Sequence, residues 1–402
     1  MEALENIEAR NENKISDNFF LKPSIERSYK LKWTKFKNAL NIYKIIYTKT
    51  GSVWQSFQVF KKLLGLHKKV WGKLPEKWVS AGKKKYFMLY APGFPSNQLN
   101  RMYEMEVNKL LQFNNPHELR FAFFAITKKC PLSCEHCFEW DKLHSKELLS
   151  LKDLRFAVLK LKEMNIVQLH LSGGEPMLRV NDIVKLAEEF SNDMEFYVLT
   201  SGFNATRGNV KLLKDAGVTG LVVSIDHYDK NIHNSFRGSS KSFDDAVNAV
   251  RYAREFDMFV TVSVCVSRAL ASFNELYNYA CFVKNLGASF IQLLEPKNVG
   301  RYANKNVKLS DEQIELLCDF YYRMNFESAF SKFPIVVYHG YYQKQIGCFS
   351  AGNRSVYIDT NGDVLLCPFC HHKSGNLLTE NIENIVPMMR QTGCPSYGIS
   401  KI

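Results

Sequence analysis

The chain has 402 residues and 46% hydrophobic content, which suits two or three domains with buried cores and argues against a disordered polymer. No apolar run reaches the roughly 18 residues of a membrane span, and the opening MEALENIEARNENK lacks a signal-peptide core, so a cytoplasmic location is expected and ten cysteines point to metal or redox chemistry rather than disulfides. The net charge of +13 is local: residues 25–85 hold sixteen Lys or Arg against Glu26 and Glu76, so a wholly basic, nucleic-acid-coating protein is not implied.

Residues 1–117 read as a basic, mainly helical region. In 53-VWQSFQVFKKLLGLHKKVW-71, Val53, Phe57, Phe60 and Leu64 recur at helical spacing, with Lys61, Lys62, Lys68 and Lys69 elsewhere. Trp33, Trp54, Trp71 and Trp78 all lie in this region. The segment 91-APGFPSNQ-98 reads as a loop, because its prolines and glycine break helices.

Residues 118–300 alternate. Short β-branched or aromatic runs occur at 120–127, 167–172, 195–200, 220–225, 259–266 and 289–295, with helical stretches such as 150–164 and 272–286 between most of them. Repeated strand–helix units predict a parallel sheet with helices outside, an α/β fold of the partial (β/α)6 TIM-like barrel kind. Chemistry in such sheets sits at the C-terminal ends of the strands. Residues 301–402 predict a small α+β domain. A helix starts at Ser310, its N-cap, and Asn361-Gly362 signals a hairpin.

Three cysteines, Cys130, Cys134 and Cys137, follow the first predicted strand in 127-TKKCPLSCEHCFEW-140. Three thiolates can hold three corners of a cubane iron–sulfur cluster and leave one iron open to a small molecule. A zinc loop with a distant fourth ligand is the alternative on spacing alone. The second strand ends in 172-SGGEPML-178, where two glycines permit close backbone approach. The third ends in 200-TSG-202, and the fourth gives 224-SID-226 followed by 236-FRG-238.

These motifs, in this order on successive strands, resemble the radical S-adenosylmethionine (SAM) superfamily, in the branch of anaerobic sulfatase and peptide maturases. Ser201 stands where that family more often has Asn. The resemblance implies that Cys130, Cys134 and Cys137 ligate a [4Fe–4S] cluster whose open iron chelates SAM. It implies that Gly173, Gly174 and Glu175 hold the methionine ammonium, that Ser224 contacts the ribose and Arg237 the carboxylate, and that His136 presents its backbone near the adenine. Asp226 is as readily a cap for the next turn.

Cys348, Cys367, Cys370 and Cys394 form a second set, able to fill a tetrahedral zinc site or a second iron–sulfur cluster. With 347-GCFSAGN-353 and 375-GNL-377, this part resembles the SPASM or twitch extension of radical SAM enzymes, which implies one auxiliary [4Fe–4S] cluster. His371 and His372 are alternative ligands. The CPFCH of c-type haem attachment requires export and is set aside. Cys265, Cys281 and Cys318 read as structural.

The resemblance implies hydrogen abstraction from a peptide, ending in oxidation or cross-linking, with flavodoxin or ferredoxin as electron donor. The same chemistry on a small molecule or lipid, and a non-catalytic zinc-stabilised binding module, are the alternatives. The basic segment 25–85 suits a solvated helical face, an acidic leader peptide or an anionic membrane surface. No nucleic-acid motif is present. No residue suggests itself as the group that quenches the product radical.

Overall fold

The structure, a computed structural model, describes residues 25–26, 28–71, 73, 76–113 and 119–397. The expected boundary at 117 lies outside the described residues.

Two helices, Ser28–Thr50 and Val53–Trp71, open the fold. The first buries Ile42, Ile45 and Ile46 against Leu63 of the second and against Leu99, Met102 and Tyr103 of a third helix, Asn97–Leu110. That third helix begins after the loop expected at 91–98, where the Ser96 hydroxyl accepts from Leu99 N–H at 3.1 Å and satisfies one open N-terminal donor. In the second helix Val53 and Phe57 face solvent, while Ser56 and Leu63 are buried. Three short strands, β1 (Ile25–Glu26), β2 (Trp78–Ala81) and β3 (Lys84–Tyr86), also lie in this region and pair antiparallel. They were not anticipated from the sequence.

The six expected parallel strands are present in order: β4 (Phe121–Ala125), β5 (Gln168–Ser172), β6 (Glu195–Thr200), β7 (Gly220–Ser224), β8 (Phe259–Cys265) and β9 (Phe290–Leu294). Each pairs in parallel with the next. Helices between and after them are tied at their starts. Ser150 and Asp153 cap Leu151–Glu163 reciprocally, and Ser310 and Gln313 do the same for Asp311–Phe326. Strand residues such as Leu169, Leu171, Val198 and Val260 are fully buried beneath these helices, each worth about 1.5–3 kcal/mol of apolar burial.

The sheet continues on both sides. β10 (Ile335–Tyr338) extends it beyond β9. β11 (Ser355–Ile358) pairs in parallel with β4 and leads into β12 (Asp363–Cys367) and β13 (Cys370–Asn376), both antiparallel. The strand order is β10-β9-β8-β7-β6-β5-β4-β11-β12-β13, an open barrel. The β11–β12 turn is the expected Asn-Gly hairpin, with Gly362 at φ +81.

Packed against the N-terminal ends of these strands is the small front sheet. Val79, Ala81, Tyr86 and Leu89 meet Tyr197, Val222, Phe259, Phe290 and Ile335. Lys77 is buried beside it, donating to the carbonyls of Met324 at 2.5 Å and Phe330 at 2.7 Å, so a cation closes the C-terminal end of Asp311–Phe326. Among the described residues no helix is long and apolar enough to cross a membrane.

Candidate active site

The cysteine loop leaves the C-terminal end of β4 and is clamped by three other segments. Ser133 N–H donates to Arg237 O at 3.2 Å and Glu135 N–H to Phe236 O at 3.0 Å. Arg301 N–H donates to Cys137 O at 2.9 Å, and the Arg301 guanidinium reaches Ser133 O and Cys134 O while lying 4.4 Å over the Trp140 ring. Glycines make these approaches possible. A Cβ on Gly174 would lie 2.2 Å from Lys129 O, and one on Gly300 the same distance from Cys137 O. The GGEP turn is therefore glycine-rich because it lies against the backbone of the cysteine loop.

Cys134 is buried, and Cys130 and Cys137 are half-buried. Burial is the main reason the Cys130 and Cys137 thiols are pushed up to about 12, so without a positive partner these groups stay protonated. Arg237 places positive charge beside the third thiol, donating from Nη1 to Cys134 Sγ at 3.7 Å and from Nε to Asp226 Oδ2 at 2.5 Å. The other oxygen of Asp226 accepts from Cys265 N–H at 2.9 Å.

Glu175 is wholly engaged within the protein. Oε1 accepts from Met177 N–H at 3.0 Å and Thr200 Oγ1 at 2.7 Å, and Oε2 accepts from Ser201 N–H at 2.8 Å and Ser201 Oγ at 2.5 Å. A carboxylate has about four lone-pair sites, and all are taken. This side chain ties the end of β5 to the end of β6. His136 stacks on Phe236 at 4.7 Å, and its buried Nδ1 has no hydrogen-bond partner. Ser224 ends β7, half-buried.

The second cysteine set lies across the same space. Cys367 and Cys370 pair across the β12–β13 turn. Cys348 and Cys394 share a hydrogen bond between their sulfurs, and Cys367 lies within electrostatic reach of both. All seven sequence-predicted cysteines line one cavity of about 560 Å³ at the C-terminal mouth of the barrel, as do Gly173, Gly174, Glu175, His136, Ser224 and Arg237. His371 and His372 are exposed on β13. Among the described residues no three Cys, His, Asp or Glu side chains converge on one metal-ion position.

Several lining residues escaped the sequence reading. Cys265, read as structural, is the last residue of β8 and is buried, and it also lines the cavity. His170 lies on its floor between Tyr197 (4.9 Å, stacked), Phe123 and Tyr90, with Nε2 buried and unpartnered. Burial holds its imidazole far down, at about 3, so it is neutral at ordinary pH. Beside the auxiliary cysteines, Glu295 accepts from Tyr338 Oη at 2.8 Å and pairs with Lys297 at 2.9 Å. The available signal was period-two alternation: Gln168, His170 and Ser172 all point inward from β5.

Residues 124–268 match the family model described as "Radical SAM superfamily". Over 146 residues the chain is 29% identical to the PqqA peptide cyclase of Bradyrhizobium diazoefficiens, covering 36% of this chain and 38% of that protein. It is 23% identical over 267 residues to the subtilosin biosynthesis protein AlbA of Bacillus subtilis, 66% of this chain and 58% of that one. A similar match, 23% over 207 residues, joins it to the GTP 3',8-cyclase of Aquifex aeolicus, 50% of this chain and 64% of that protein. The chain thus spans less than two thirds of the length of these curated relatives. Among solved structures, SuiB of Streptococcus suis bound to its precursor peptide SuiA superposes with a TM-score of 0.57 at 16% identity, over 86% of this chain and 81% of that one, which shows a shared fold.

Proposed function

Because residues 124–268 are a radical SAM domain, we propose that this chain is a radical SAM enzyme that oxidises or cross-links side chains of a peptide. The observation that carries the reading is the meeting of all seven cysteines on one cavity at the barrel mouth. One relative is by name a peptide cyclase and another a bacteriocin biosynthesis protein, and the fold is shared with a peptide-bound neighbour. The GTP 3',8-cyclase match keeps a small-molecule substrate as the second reading.

The residues fit the cofactors of that chemistry. Cys130, Cys134 and Cys137 would hold a [4Fe–4S] cluster in the cradle that Gly174 and Gly300 leave free of Cβ atoms. Cys348, Cys367, Cys370 and Cys394 would hold an auxiliary one. Such a cluster with SAM bound would supply one-electron reductive cleavage of the sulfonium, the hydrogen from the substrate ending on the 5'-deoxyadenosine that is released. The chain's own groups do the rest. Arg237 places positive charge against Cys134 and is itself oriented by Asp226. His136, Ser224 and the Gly173–Gly174 backbone line the SAM side of the cavity. His170, neutral and buried among Tyr90, Phe123 and Tyr197, shapes the floor of the cavity. A flavodoxin or ferredoxin supplies the electron.

The test is anaerobic reconstitution. The native chain is expected to take up iron and sulfide for two clusters, to shift its reduced paramagnetic spectrum on addition of SAM, and to release 5'-deoxyadenosine with dithionite. Cys134→Ala is expected to lose about four irons per chain and the nucleoside product, retaining the second cluster. A protein binding zinc alone, or making no 5'-deoxyadenosine, overturns the reading.

A further inference from the structure

Helix Ser28–Thr50 has an apolar face on each side. Its inner face buries Ile42, Ile45 and Ile46, as described. On the opposite side Tyr29, Trp33, Phe36, Leu40 and Tyr47 stand in solvent, 78%, 49%, 51%, 53% and 43% exposed. At about 100° per residue these five positions fall within an arc of about 60°, and at about 1.5 Å per residue they make a stripe about 27 Å long. The next helix prolongs it with Val53, Trp54 and Phe57, 68%, 72% and 51% exposed. Tyr43 Oη donates to Val53 O at 3.0 Å and joins the two parts.

The charge around the stripe has one sign. No acidic residue occurs between Glu26 and Glu76, and the two helices carry ten lysines. Lys30, Lys32, Lys37 and Lys44 are exposed and flank the stripe on both sides by the same angular count. Lys37 Nζ lies 5.2 Å over the Trp33 ring. A contiguous apolar surface of this size marks a contact site.

We propose that this face docks the protein on an anionic phospholipid surface. Aromatic rings and short aliphatic chains enter the boundary between headgroups and acyl chains, while the lysine stems extend along them to place ammonium groups among the phosphates. Trp and Tyr are the residues favoured at that depth. A long, outward-facing stripe presents itself to a plane. The absence of acids and the flanking lysines give the complementarity that an anionic bilayer requires. The proposal is independent of the radical chemistry.

The experiment is co-sedimentation of the full chain with vesicles of phosphatidylglycerol and phosphatidylcholine, against phosphatidylcholine alone, with tryptophan fluorescence followed in parallel. The native chain is expected to bind the anionic vesicles, with a blue-shifted emission and partitioning that falls as salt rises. Lys37→Gln and Lys44→Gln are each expected to lower partitioning about fivefold. The combined Trp33→Ser, Phe36→Ser, Trp54→Ser variant is expected to lose the blue shift with its far-ultraviolet circular dichroism unchanged. No binding to anionic vesicles, or equal binding to both vesicle types, overturns the proposal. So does tight, stripe-dependent binding of polyglutamate by a chain that ignores vesicles, because the surface then serves an acidic peptide.

Discussion

Glu175 shows how a motif residue expected to face a ligand can also tie two strand ends together. Four donors from Met177, Thr200 and Ser201 meet its carboxylate, and it is 1% exposed. Burial raises its pKa and the donors oppose that rise. Glu175→Gln keeps the shape but turns one acceptor into a donor that faces other donors. We expect it to cost about 1–3 kcal/mol, read by urea unfolding of the unreconstituted protein. Unchanged stability with weakened SAM binding would instead favour an ammonium contact. Cys265 and His170 carry a similar lesson. Each sits in an apolar run that reads as core, and only the alternation of β8 and β5 assigns it to the inner face. Sequence gives that alternation but not which face encloses a cavity.

At the scale of elements, helix Asn97–Leu110 carries a half-buried carboxylate with a pH signature. Glu106 accepts from Arg120 at 2.8 Å and lies 2.6 Å from His67 Nε2. Burial alone would raise its pKa, but Arg120 and then His67 outweigh it and hold the carboxyl well below the usual range. Its folded pKa is depressed, so its contribution to stability is fully present above the unfolded value of about 4.3 and fades as pH falls below it. Urea unfolding between neutral pH and pH about 3 should show that decline, with a shallower slope in Glu106→Gln; equal slopes would refute the assignment. The barrel strands were legible because their apolar runs are separated by amphipathic helices with clear N-caps such as Ser150 and Ser310. β1–β3 and β10 were not. They are two to four residues long, and Lys84-Lys85-Tyr86 becomes a strand through its partners and the barrel floor rather than its own pattern.

The whole molecule is held at the base of the barrel. Tyr86 is 2% exposed and packs on Phe259 at 4.6 Å between centroids, which joins the front sheet to the parallel one. Tyr86→Ala should therefore act as a core truncation and cost about 3–5 kcal/mol, measured by thermal or urea unfolding of the full chain. A cost below about 1 kcal/mol would show that the front sheet merely rests there. Spacing singled out the seven cysteines, and the iron–sulfur reading of both sets came from the family resemblance rather than from spacing, which left zinc open. That they share one cavity depends on β11 lying beside β4, a pairing between residues more than 230 positions apart that no local pattern announces.

The β4–β11 pairing also bears on how the molecule could be taken apart. Cutting the polypeptide near residue 300 would strip β4 of a neighbour and leave β11–β13 as a loose ribbon with a raw margin of amide and carbonyl groups. The two cysteine sets are therefore welded into a single rigid body, and pieces expressed separately would regain their common chamber only by re-knitting that seam.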